Sequence, residues 1–339
     1  MTSLEQTALM QLPKIDLHRH LEGSLRLSTL AEIAGRYRLD LPRDVATLRP
    51  LVQITASDPR TPRAFLDKFN VLRRFYLSPG IIRRLAFEAV EDAARDGVRY
   101  LELRFTPAAL ARTQGFALRD VISWVSAGAE DARRQYPEID LALIVSVNRH
   151  EPVELAEQVV GLAVDRLREI AAIDLAGDEV NFPAEPFAGL FAEARRAGLG
   201  ITAHAGEWSG PASVRHALER LGVQRVGHGV RVMESPDVVA LARERGAVFE
   251  VCLTSNLDSG VAAGLALHPL PAMLAAGLRA TLNTDDPGLS NCTLSGEYAL
   301  AQMLPGFGST ELQSMALEAA TAAFHPERAR HAVDALELV

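Results

Sequence analysis

The sequence predicts an α/β fold, a (β/α)8 TIM barrel with extra helices inserted after the first strand. Three observations lead there. Eight short β-rich runs recur along 339 residues, and amphipathic helical stretches lie between them, the pattern of a parallel sheet. The residues closing the runs numbered five to eight, His204, His228, Asn256 and Asp285, are spaced 24, 28 and 29 apart with no linker between them. Histidines and carboxylates fall at these closing positions, which in barrels build the active site.

The elements follow in order. The first strand is IDLHRH (15–20). Between His20 and Val98 lie 77 residues, too many for one crossover, and 28–38 and 61–76 read as additional helices. Residues 22–97 are therefore expected to form a lid-like helical insertion within a single barrel domain spanning 1–339. Its last helix is 79–97: Ser78 is the N-cap, Pro79 takes the first helical position and Gly97 ends it. Ile82, Leu85, Ala86, Ala89 and Ala93 keep helical spacing along it. Strands are expected at 98–105, 141–147, 170–177, 200–206, 225–230, 247–256 and 279–286, with helices at 185–197, 211–221, 235–245 and 269–276.

Composition narrows the function. A net charge of −8 argues against a nucleic-acid partner and admits a small neutral or cationic substrate. Cys252 and Cys292 are the only cysteines and form no CxxC, which excludes a disulfide framework and fits a reducing cytosol. The first 20 residues lack the apolar core of a signal peptide. The uncharged run 259–278 contains Gly260, Gly264, Pro269 and Pro271, so a loop and short helix fit it better than a membrane span. A cytoplasmic protein without membrane contact is expected. Oligomeric state has no signature here.

Chemistry concentrates at the strand ends. In a strand, residues i and i+2 share a face, so His18 and His20 point the same way. With His204, His228 and Asp285 they supply histidines and a carboxylate to one ion, a donor set that suits zinc. Strand four ends IDLAGDE, without the lysine a bridged two-metal site needs, which favours one ion per chain. Glu207, three residues after His204, is a candidate general acid, provided that its pKa is raised. Asp285 and Asp286 are adjacent; one can bind the ion while the other faces substrate or caps a helix. His150 reads as a loop residue, His216, His325 and His331 as helix residues, and His268 as the start of a helix.

The motifs LPKIDLHRHLEGS, LRFTP, DLAGDE, HAGE, GHGV, CLTSN and NTDDP occur in that order. Through them the chain resembles the adenosine deaminase family of the amidohydrolase superfamily over essentially its whole length. The resemblance implies a (β/α)8 barrel, one Zn2+, and His18, His20, His204 and Asp285 as its ligands. It implies that Glu207 protonates purine N1 and that His228 orients the attacking hydroxide. It places Asp286 at N7, the backbone of Gly177 near N3, and His20 and Glu22 on the substrate. Phe65, Leu66 and Phe69 match an apolar lid over the ribose side. The implied reaction turns adenosine or 2′-deoxyadenosine into the inosine product and ammonia.

One position departs from the family. Glu22 stands in HLEG where adenosine deaminases usually read HLDG, with an aspartate that meets the ribose 5′-hydroxyl. Adenine or a 5′-modified adenosine is the alternative substrate this raises. CLTSN and the run from His268 to Gly288 are closer to bacterial adenosine deaminases, since adenine deaminases tend to read CPLSN. The cytidine-type signature, HxE paired with PCxxC, is missing, since the chain has no PCxxC.

Overall fold

The computed structural model describes residues 9–10 and 12–333. Eight parallel strands pair in sequence order: β1 (Lys14–His20), β2 (Val98–Phe105), β3 (Asp140–Asn148), β4 (Ile170–Ala176), β5 (Gly200–Ala205), β6 (Arg225–His228), β7 (Val248–Val251) and β8 (Arg279–Leu282). A bridge between Arg19 and Asp285 joins the two ends of the sheet. Asp285 N–H donates to the carbonyl of His18 at 2.7 Å, and His20 N–H donates to Asp285 O at 2.8 Å. The barrel thus closes through the backbone of residues expected at its functional rim.

Between β1 and β2 stand α1 (Leu27–Arg36), α2 (Val45–Val52), α3 (Pro62–Leu72) and α4 (Pro79–Arg95). The start of α4 follows from its sequence. Ser78 Oγ accepts from Ile81 N–H at 3.3 Å, Pro79 needs no donor there, and Ile82, Leu85, Ala86 and Ala89 are buried. Gly97 has φ 80°, and a Cβ there would lie 2.1 Å from the carbonyl oxygen of Met10. That close approach requires glycine. α2 was not signalled in the sequence: Pro50 lies inside it, and only Leu48 and Val52 are buried.

Two strand ends differ from expectation. β7 stops at Val251, and Leu253–Asp258 is a helix, so Asn256 sits on a helix and does not close a strand. β8 stops at Leu282, and Asp285 has φ 62°, a conformation that no extended ladder accommodates. The helix expected at 211–221 is Pro211–His216 followed by a π-helical turn, Ala217–Leu221. The run 259–278 folds as a loop, a short 3-10 turn and the helix Leu270–Ala275. Among the described residues no helix is long and apolar enough to cross a membrane.

The inside of the barrel is charged below its rim. Arg225 reaches Glu250 Oε1 at 2.6 Å and Glu102 Oε2 at 2.5 Å, and Arg104 reaches Glu250 Oε2 at 2.8 Å. These side chains are at most 1% exposed. Removing one member of a buried ion network strands the others without water. Arg225→Leu is expected to lose about 3–5 kcal/mol of stability, read from the urea midpoint, because Glu102 and Glu250 each lose a charged partner and Glu250 keeps only Arg104 as a guanidinium partner. A loss under about 1 kcal/mol would show that the network is not needed for the fold.

Candidate active site

β1 carries His18 and His20 to the rim, β5 carries His204 and β6 carries His228. The four imidazole rings cluster, and five of their six pairs have centroids 4.7–5.4 Å apart. Asp285 joins them from the turn after β8. His228 and Asp285 both have positive φ, 56° and 62°, although neither is glycine. Such backbone costs about 1–3 kcal/mol and persists only where the surroundings impose it. Here it turns both side chains into the same space.

The ring nitrogens are oriented from behind. His18 Nδ1 lies 2.7 Å from Glu250 Oε2, and His204 Nδ1 lies 3.1 Å from Asp174 Oδ1. Each carboxylate can accept a hydrogen bond from Nδ1–H, which leaves the lone pair on Nε2, the arrangement that prepares a histidine for a metal. His18 Nε2 is buried with no hydrogen-bond partner. The Nε2 atoms of His20 and His204 face one another at 3.2 Å. Asp285 Oδ1 is 3.2 Å from His18 Nε2 and 3.5 Å from His20 Nε2. Converging lone pairs beside one carboxylate are a donor set for a divalent cation. Among the described residues, the two groups with metal-holding spacing fall here: His18, His204, His228 and Asp285, and His20, Asp174 and His204.

The carboxylates differ in charge state. Burial opposes ionisation of Asp285, but the imidazoles of His228, His18 and His20 hold it well below the usual range. Burial pushes Glu207 well above that range, and the charges of Asp285 and Glu179 add to the effect. Burial, with Asp285, Glu22 and Glu207 nearby, raises Asp286 as well. An aspartate favoured as the anion among the imidazoles and a glutamic acid favoured as the neutral acid beside them are suited to a cation site next to a proton donor. Glu207 Oε2 is 3.7 Å from His228 Nε2.

The cleft above this cluster opens to solvent and has ≈ 620 Å³ of empty space, part of it open solvent. Its lining includes His20, Glu22, Phe65, Leu66, Phe69, Gly177, His204, Glu207, His228, Asp285 and Asp286. Of the residues singled out in the sequence, only His18 is beneath the lining, fully buried. Glu22 Oε1 accepts from Thr106 N–H at 2.7 Å, while its Oε2 and Asp286 Oδ1 are buried without partners. Gly177 has φ 95°, and a Cβ there would lie 2.7 Å from His150 Nδ1.

Several lining residues escaped the sequence reading. Arg73, Thr106, Asn148, Ala176 and Trp208 line the cleft, and so does His150, read above as a plain loop residue. Position beyond a strand end was the available signal for His150. The Glu179 carboxylate accepts from the N–H groups of Glu207, Trp208 and Ser209 at 3.1, 2.8 and 3.0 Å, clamping the turn that presents Glu207. The motif DLAGDE contained it, but its partners lie about 30 residues away.

Known proteins are similar to this chain in sequence and fold. The family model described as adenosine deaminase matches residues 13–336. Adenosine deaminase of Klebsiella pneumoniae (strain 342) is 36% identical over 323 residues, 95% of this chain and 96% of that protein. Adenine deaminase from Arthrobacter aurescens superposes with a TM-score of 0.88 at 28% identity, covering 96% of this chain and 98% of its own. An amidohydrolase from Burkholderia ambifaria, solved with bound Zn, gives a TM-score of 0.86 at 29% identity over 100% and 96% of the two chains.

Proposed function

The chain belongs to the adenosine deaminase family, and from that premise we propose that it is a hydrolase converting adenosine or 2′-deoxyadenosine and water into inosine or 2′-deoxyinosine and ammonia. The observation that carries this reading is Glu207: a buried carboxyl whose pKa is pushed up by burial, at the wall of the cleft, beside converging imidazoles.

We assign one zinc ion to His18, His20, His204 and Asp285. The choice of His20 over His228 is supported by Asp285, whose Oδ1 faces His18 and His20 while its Oδ2 lies 3.7 Å from His228. A zinc ion held there would supply Lewis acidity and bring the pKa of water to about 7. Glu207 gives its proton to purine N1, which makes C6 electrophilic. His228 orients the oxygen that adds to C6 and helps carry a proton towards the departing amine. Asp286, with an unpartnered Oδ1, is aimed at N7, and the Gly177 backbone at N3. Phe65, Leu66 and Phe69 on α3 cover the ribose side, so the insertion 22–97 is read as a lid. A cytosolic setting is proposed on the free Cys252 and Cys292.

Glu22 favours a second reading, adenine or a 5′-modified adenosine. Burial raises its carboxyl, its Oε2 is buried without a partner, and the residue lines the cleft. A panel of adenosine, deoxyadenosine, adenine and 5′-methylthioadenosine, scored for ammonia release, separates the substrates. Glu22→Asp shortens the reach by one methylene and is expected to raise the adenosine-to-adenine ratio of kcat/KM by about tenfold. An unchanged ratio would mean that position 22 does not read the ribose.

A further inference from the structure

Behind His228, away from the cleft lining, stand Asn256 and His268, both buried. Asn256 is on the helix Leu253–Asp258, and His268 lies just before the helix Leu270–Ala275. Their hydrogen bonds can be assigned in order because one end is fixed. The backbone N–H of Leu270 can only donate, and it lies 3.1 Å from His268 Nδ1. His268 Nδ1 therefore carries a lone pair. Burial lowers this imidazole to about 4, so at neutral pH its one proton is on Nε2. His268 Nε2 is 3.1 Å from Asn256 Oδ1 and donates to it.

The reversed Asn256 amide fails. With its NH2 turned to His268, that imidazole would have to accept at both nitrogens, which a neutral ring cannot do. The NH2 therefore faces His228 Nδ1 at 3.1 Å. An amide NH2 only donates, so His228 Nδ1 accepts; a proton there would meet the amide N–H head on. We infer that His268, acting through Asn256, fixes His228 as the tautomer protonated at Nε2 and is a positioning residue for the deamination.

That N–H stands 3.7 Å from both Glu207 Oε2 and Asp285 Oδ2. Two consequences follow for the site. A protonated Nε2 has no lone pair to give a cation, so His228 stays out of the ligand set although it lies within reach of His18, His204 and Asp285. It instead offers a donor to an oxygen adding beside Glu207. The effect on turnover rests on the deaminase reading above; the tautomer does not.

The test is 15N NMR of histidine-labelled, zinc-loaded protein, in which a bare and a protonated ring nitrogen of His228 have distinct shifts. Wild type is expected to show bare Nδ1 and protonated Nε2. His268→Gln keeps an NH2 donor for Asn256 and should preserve both that signature and kcat within about threefold. Asn256→Asp replaces the donor with an acceptor, so the proton moves to Nδ1. There kcat is expected to fall about 10³-fold with KM little changed, the kind of loss a misplaced imidazole proton causes. A protonated Nδ1 in wild type, or an unchanged signature in Asn256→Asp, overturns the inference. Equal kcat losses in His268→Gln and His268→Phe also overturn it, because packing would then account for both. Wild-type protein with the expected signature that deaminates no 6-aminopurine would support the tautomer and sink the functional reading.

Discussion

Glu207→Gln is expected to keep its zinc and lose about 10³- to 10⁴-fold in kcat, the upper part of what one positioned proton donor contributes. Glutamine has the shape of the protonated acid and still offers an N–H, but it cannot release a proton to purine N1. The change should leave the surroundings intact, because Glu179 clamps the turn through backbone N–H groups and not through the Glu207 side chain. Burial, then the charges of Asp285 and Glu179, hold the wild-type carboxyl well above its usual range. Only the protonated form is useful, so wild-type turnover should fall as pH rises through that raised pKa. The glutamine variant should lack this alkaline limb. Ammonia release against pH, with zinc measured on the same samples, makes the comparison. Turnover within about tenfold of wild type would remove the N1-protonation role.

The rim of the barrel was legible because its signals are local. HxH at the end of an apolar run states which way two imidazoles point, and HAGE and NTDDP each keep their chemistry within a few residues. What lies beneath the rim was not legible. VRYLELRF alternates Glu102 and Arg104 with Leu101 and Leu103, a pattern that in an open sheet would turn the charges to water. In the closed barrel both faces are buried, and the charges find partners more than 100 residues away: Arg225 for Glu102 and Glu250 for Arg104. Asn256 shows a second limit. The regular spacing assigned it to a strand end, whereas β7 is four residues long and the chain coils into a helix one residue beyond it. The positive φ of His228 and Asp285 is a third, since neither residue type announces that conformation. His150 and Arg73 reach the cleft from a turn and from the insertion, and their arrival depends on how those segments fold over the rim.

Removal of the Asp285 carboxylate should abolish zinc binding and lower kcat by at least about 10⁴-fold, because no hydroxide would be available near neutral pH. Asp285 is the ionised member of a donor set otherwise made of imidazoles, with Oδ1 facing His18 and His20 and Oδ2 accepting from Ser255 Oγ at 2.6 Å. Asp285→Ala confounds two effects. The same residue closes β8 onto β1 through its backbone, and its φ of 62° suits alanine poorly. Asp285→Asn separates them. Asparagine tolerates that conformation, and its amide oxygen can still accept from Ser255, so the barrel should stay closed while the charge is gone. The apo form of Asp285→Asn should therefore melt close to apo wild type, yet bind zinc far more weakly when titrated. Asp285→Ala should lose both zinc and part of its stability. Full zinc occupancy in Asp285→Asn, with turnover retained, would move the anionic ligand elsewhere. Asp174, the other carboxylate grouped with His20 and His204, would then be the residue to test, because it already sits 3.1 Å from His204.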